Sequence, residues 1–197
     1  MRTSDSMSSG KEDVPSRAPR LIGVVDPAPW LPRGGRAEAW AGDDLVVPDP
    51  CILVRILLTR GERRLFLVET ERGPDLPSLR LDGATPADGL RRLAARTHGE
   101  VDAVHRCIGW IRNVVPVPGS DYPHPAPYAY VPVFEPLAPL PPTVSGAWVD
   151  IDAAADRVAD RHWWLIVARR LNAEGRLPRG GSALLNGGYR APARRLL

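Results

Sequence analysis

The sequence predicts an α+β fold in which a mixed sheet lies between helices. Three observations predict it. Short runs of branched apolar residues recur along the chain, as strands do. A helix with a full set of start signals sits between them, and a second helical pattern closes the apolar part of the 197-residue chain. One domain with loose ends is the expectation for this length.

The elements follow in order. Residues 1–19 are polar and poor in large apolar groups, which predicts a disordered N-terminus. Residues 20–49 carry apolar side chains interrupted by Pro and Gly. They predict an N-terminal arm with a short strand near 21–25, anchored by Trp30 and Trp40. "CILVRILLT" (51–59) and "RLFLVET" (64–70) predict a hairpin that turns at Arg60-Gly61-Glu62-Arg63. The loop "ERGPDLPS" leads to a helix over 86–98. Thr85 is its N-cap, Pro86 occupies the first turn, and Asp88 stands three residues after the cap as in a capping box. Leu90, Leu93, Ala94 and Thr97 fall on one stripe, and Gly99 suits the left-handed residue that ends a helix.

Beyond the helix, 104–115 predicts a straight or bent strand. "PVPGSDYPHPAP" is a long proline-rich loop of the kind that flanks ligand sites. "YAYVPVFE" (128–135) predicts a strand, and Pro132 within it argues for a sheet edge or a bulge. "AWVDI" (147–151) predicts a short strand. Asp152 then caps a helical region over 153–172 with a break near Asp160 and a stripe of Trp163, Ile166, Val167 and Leu171. Residues 173–197 form a Gly-, Arg- and Pro-rich basic tail that is expected to be loose.

Composition excludes several function classes. Lysine occurs once, at Lys11, so the basic residues are almost all arginine. Arginine suits phosphate contacts, but GC-rich codon usage produces the same bias together with abundant Ala, Pro and Gly. A net charge of +3 speaks only weakly for nucleic acid as the partner, which leaves a contact through the arginine-rich tail as a third and weaker reading. Cys51 and Cys107 sit in apolar runs with no C-x-x-C spacing, which predicts buried free thiols. The polar start lacks the apolar core of a secretory signal, and no apolar run approaches the length of a membrane span. A cytoplasmic protein without membrane contact is the expectation.

Four stretches together resemble the Nudix hydrolase family over residues 50–172. They are the hairpin "ILVRILLTRGERRLFLVETERG", the loop and helix "LPSLRLDGATPADGLRRLAARTHG", the strand "YAYVPVFE", and "GAWVDIDAAADRV". The resemblance implies an α/β/α sandwich. It also places the family's signature box on the first helix. With Gly99 set on the final box glycine, Arg92 falls on the box arginine, which in the family orients the site carboxylates. The metal-binding glutamates fall on Ala84, Leu93, Arg96 and Thr97, so every expected carboxylate is missing. A hard divalent cation needs oxygen ligands, and Arg96 puts positive charge where the cation would sit. No metal, no cofactor and no catalytic residue are therefore expected from the box.

Other candidates are weaker. Arg91, Arg92 and Arg96 form a basic helix face that either holds phosphate directly or is simply solvated with local ion pairs to Asp88 or Glu100. Glu69, Glu71, Asp75 and Asp82 flank the box loop and are the acids available to a displaced magnesium site. Tyr122, His124, Tyr128 and Tyr130 surround the proline-rich loop and either line a pocket mouth or are ordinary turn residues. "RHWW" (161–164) offers base-stacking rings or ordinary core packing, and core packing is favoured by the stripe spacing. His98, His105 and His124 show no metal spacing. The expected function is a Nudix-like domain that binds a nucleotide-type ligand or a protein partner without catalysis. The alternative is a hydrolase of a nucleoside diphosphate derivative that uses acids outside the box.

Overall fold

The computed structural model describes residues 18–171. The expectations for residues 1–17 and for the tail after 171 lie outside the described residues. Ten strands and three helices follow in the order β1 (Arg20–Val25), β2 (Arg36–Ala41), β3 (Leu53–Ile56), β4 (Thr59–Arg60), β5 (Arg64–Thr70), β6 (Gly73–Asp75), β7 (Ser78–Arg80), α1 (Pro86–Thr97), β8 (His105–Val114), β9 (Tyr128–Pro136), β10 (Ala147–Asp150), α2 (Ile151–Val158) and α3 (Trp164–Leu171).

One sheet has the order β1-β2-β8-β9-β3-β7, with β3 and β9 parallel and the other pairs antiparallel. The second runs β10-β5-β4, with β6 paired to β5. The larger sheet is mixed, the smaller one is antiparallel, and the fold is α+β as the sequence predicts.

Alternation along the strands buries both faces. Ile108, Ile111, Val131 and Val133 enter one core together with Ala154 and Val158 of α2 and Trp163, Ile166 and Val167 at α3. Cys107, Trp110 and Phe134 enter another with Leu93 and Ala94 of α1. Thus α1 lies against β3 and β7 on one side, and α3 lies against β1, β2 and β8 on the other.

Four expectations need correcting. The run 51–59 is not one arm of a hairpin. Its first half, β3, joins the large sheet, and only Thr59–Arg60 pairs with β5. The crossing occurs at Leu57 and Leu58, which are buried in opposite cores, and their backbone bonds go to different sheets: Leu57 N–H donates to Phe134, and Leu58 C=O accepts from Phe66. An apolar run with no polar alternation reads alike whether it stays in one sheet or bridges two.

Segment 20–49 is more than an arm. It supplies the edge strand β1 and the interior strand β2 of the large sheet. Pro132 is in an interior strand rather than at an edge. Its missing N–H falls where the ladder slips, because Cys51↔Tyr130 is an offset of 79 residues and Arg55↔Val133 an offset of 78. The bulge half of that expectation is met. Finally, the second helix begins two residues early. Asp150, not Asp152, is the cap, and its carboxylate accepts from Asp152 N–H at 3.0 Å.

The first helix forms as its signals require. Thr85 Oγ1 accepts from Asp88 N–H at 3.1 Å, Pro86 opens the helix, and Gly99 follows it at φ +81°. Gly89, inside the helix, permits close approach: a Cβ there would lie 2.1 Å from Leu81 Cδ2.

Candidate functional site

The positions where the resemblance would set box glutamates diverge in the structure. Leu93 and Thr97 are 2% and 1% exposed, and Leu93 belongs to the core with Val54, Ile56, Phe66, Leu81 and Phe134. Apolar packing therefore surrounds Leu93, with no carboxylate beside it in that core. Arg96 points outward, and Ala84, before the helix, is half-buried with its N–H on Leu81 C=O. Arg91, Arg92 and Arg96 are all exposed. Arg91 makes a 3.5 Å ion pair with Asp88, while Arg92 and Arg96 make none among the described residues.

The acids around the box loop do not converge. Glu69 is exposed and pairs with Arg157 of α2 at 3.0 Å, and Glu71 is exposed in the next turn. Asp82 lies 3.5 Å from Arg80 with φ +46°. Asp75 is half-buried on the far side of β3. Its Oδ1 accepts from Arg55 at 2.6 Å, from Trp163 Nε1 at 2.7 Å and from Leu76 N–H at 2.7 Å. Among the described residues, no three His, Cys, Asp or Glu side chains gather to hold a metal ion.

"RHWW" joins that buried cluster. Trp163 is fully buried, and the His162 ring lies 5.4 Å from Trp30. Burial, with Arg55 and Arg161 nearby, pushes the His162 imidazole down to about 3, so it is neutral. These residues pack the helix junction to the sheet.

A different group comes together on the sheet face beside α1. Glu38 and Trp40 of β2 stand opposite Arg112 and Trp110 of β8, and Arg112 stands opposite Tyr130 of β9. Glu38, 4% exposed, accepts from Arg112 Nε at 2.8 Å, Trp40 Nε1 at 3.1 Å and Arg36 Nε at 3.0 Å. Burial would raise the Glu38 carboxyl, but these donors outweigh it and hold it below its usual value. The Arg112 guanidinium, so aimed, lies 4.9 Å from the Trp40 ring centre and 5.2 Å from that of Tyr128. Tyr128 is 43% exposed and Trp110 meets Tyr130 edge-on at 6.4 Å. This face is continuous with the core that α1 packs against. Tyr122 and His124 make their own edge contact at 5.6 Å in the loop before β9.

The structure thus places Tyr128 and Tyr130 beside Arg112 and the rings of Trp40 and Trp110, while Tyr122 and His124 stay in the preceding loop. Glu38 and Arg112 went unnoticed, and Trp40 was read as an anchor. The available signal was the strict alternation of "RAEAWA", with Arg36, Glu38 and Trp40 on one face and three alanines on the other.

No family model matches the sequence, and no curated protein does. Solved structures give faint likenesses, of which two are these. The Bacillus subtilis pyrophosphohydrolase BsRppH is 14% identical with a TM-score of 0.35, over 53% of this chain and 62% of that one. A possible asymmetric diadenosine tetraphosphate hydrolase from Jonesia denitrificans is 14% identical with a TM-score of 0.37, over 67% of this chain and all of that one.

Proposed function

We propose that this chain is a Nudix-like domain that binds a nucleotide-type ligand without hydrolysing it, on the sheet face beside α1. The observation that carries the reading is the Arg112 guanidinium, oriented by buried Glu38 and held between the rings of Trp40 and Tyr128. An exposed ring such as Tyr128 offers a base a stacking surface worth about 1–3 kcal/mol. A pre-oriented guanidinium supplies a forked donor for a phosphate or a base edge without first ordering itself. The exposed Arg91, Arg92 and Arg96 of the neighbouring helix add positive charge for a diphosphate. Leu93 and Thr97, packed inward, supply no carboxylate with which to hold magnesium or activate water.

Thermal-shift and fluorescence titrations against a panel of nucleoside diphosphate derivatives test this, without added metal. At least one ligand should stabilise the protein. Tyr128→Ala and Arg112→Gln should each weaken that ligand about ten-fold, or ~1.4 kcal/mol. Turnover that requires magnesium or manganese and is abolished by Glu69→Gln or Glu71→Gln would make the protein a hydrolase instead. Stabilisation by a partner protein alone would replace the nucleotide with that partner.

A further inference from the structure

We propose that His98 and His105 form an acid-released clasp between the end of α1 and the start of β8. The two imidazoles, seven residues apart, meet Nε2 to Nε2 at 3.2 Å, with ring centres 5.3 Å apart. His98 caps α1 and is 3% exposed.

The surroundings assign every ring proton. The Glu100 backbone N–H lies 3.2 Å from His98 Nδ1 and can only donate, so that nitrogen carries the lone pair. The proton of neutral His98 is therefore on Nε2 and points at His105. His105 Nε2 must accept it, which puts the His105 proton on Nδ1. There it meets the Ala103 carbonyl at 2.7 Å, a group that can only accept. All three contacts are satisfied by one pair of neutral tautomers, and the two rings carry opposite ones.

A further proton has no compatible site. On His105 Nε2 it would face the His98 N–H head-on. On His98 Nδ1 it would face the Glu100 N–H. Burial, and for His98 the neighbouring His105, hold both rings below the usual histidine value. Glu100 is the charged group acting on the pair, and its pull on His98 toward the charged form is outweighed. Neighbouring contacts that do not titrate are Leu137 N–H to Val104 C=O at 2.9 Å, Thr143 N–H to Thr97 C=O at 2.7 Å and the Thr143 hydroxyl to Arg96 C=O at 3.4 Å, and the charged Arg106–Glu135 pair next along β8 is already joined.

The clasp is closed at neutral pH. As pH falls below the ordinary histidine range, protonation parts the rings and frees the 98–105 connection. The Thr143 segment, which hangs on Thr97, loosens with it.

Nitrogen-15 NMR of the histidine side chains tests this directly in the unmodified protein. At about pH 7.5, His98 should appear protonated on Nε2 and His105 on Nδ1. Lowering the pH to about 5 should raise amide hydrogen exchange at Gly99, Glu100, Ala103 and Thr143 about ten-fold beyond its intrinsic pH trend. Amides of β3 should not follow. In His105→Asn that local pH response should weaken, because only His98 is left to take up the proton. Identical tautomers on both rings, a midpoint at or above the usual histidine value, or exchange that ignores pH would each overturn the clasp. The tautomer measurement needs no variant, so a failure of His105→Asn to fold leaves the test intact.

Discussion

Leu93 and Arg96 stand three residues apart on one helix and separate architecture from chemistry. Both stand where the resemblance would set a box glutamate, yet Leu93 is 2% exposed and Arg96 is exposed. Restoring acids should therefore have opposite consequences. Leu93→Glu places a carboxylate among Val54, Ile56 and Phe134 with no partner, and should cost about 3 kcal/mol in urea unfolding. Arg96→Glu meets solvent and should stay within about 0.5 kcal/mol of the parent. Equal effects would mean that the helix is rotated from the orientation described. The absence of any glutamate between residues 86 and 98 is legible in the sequence because it depends only on residue identity. The Glu38–Arg112 contact is not, because its partners are 74 residues apart.

At the scale of elements, β8 shows how one residue shapes a strand. The register against β9 slips between Cys107 and Gly109, and β2 crosses the same point with Ala41 opposite Gly109. A Cβ at Gly109 would lie 2.4 Å from the Trp40 carbonyl oxygen and 3.2 Å from Ala41 Cα, both backbone atoms. Gly109→Ala must therefore push β2 away. It should cost about 2 kcal/mol in chemical denaturation, and with Trp40 displaced it should also disturb the Arg112 stack. An unchanged unfolding midpoint would show that the two strands have room to give. The sequence reading allowed a bent strand over 104–115 without locating the bend. A glycine's need for a bare Cα depends on the neighbouring strand, and no local pattern marks β2 as that neighbour.

Across the whole molecule, acid stability follows from the histidines. All four, His98, His105, His124 and His162, are held below the usual value by burial first. In the unfolded chain each protonates near pH ~6.5. The folded protein resists that proton, so stability is full above ~6.5 and falls as pH drops below it. His162, held at about 3, dominates the lower part of the slope. His162→Gln should flatten the fall between about pH 5.5 and 4 by roughly one proton, or ~1.4 kcal/mol per pH unit. Urea midpoints measured across that range check it, and a parallel loss in parent and variant would place the proton uptake elsewhere. The buried Arg55–Asp75 pair and the two arginines on Glu135, from β8 and α3, join elements through charges that must stay paired.

The sequence by itself determined the local elements. The cap at Thr85, the stripe through Leu93 and Thr97, the turn at Gly61 and the broken last helix depend on neighbours within one or two turns, and spacing records such neighbours. Tertiary structure alone decided which strands pair, that 51–59 divides between two sheets, and that β1 and β2 complete the larger one. It also decided that His98 meets His105, and that Arg112 settles between Trp40 and Tyr128. Those choices are made by burial and by contacts between segments far apart in the chain, and no local pattern of residues encodes a distant partner.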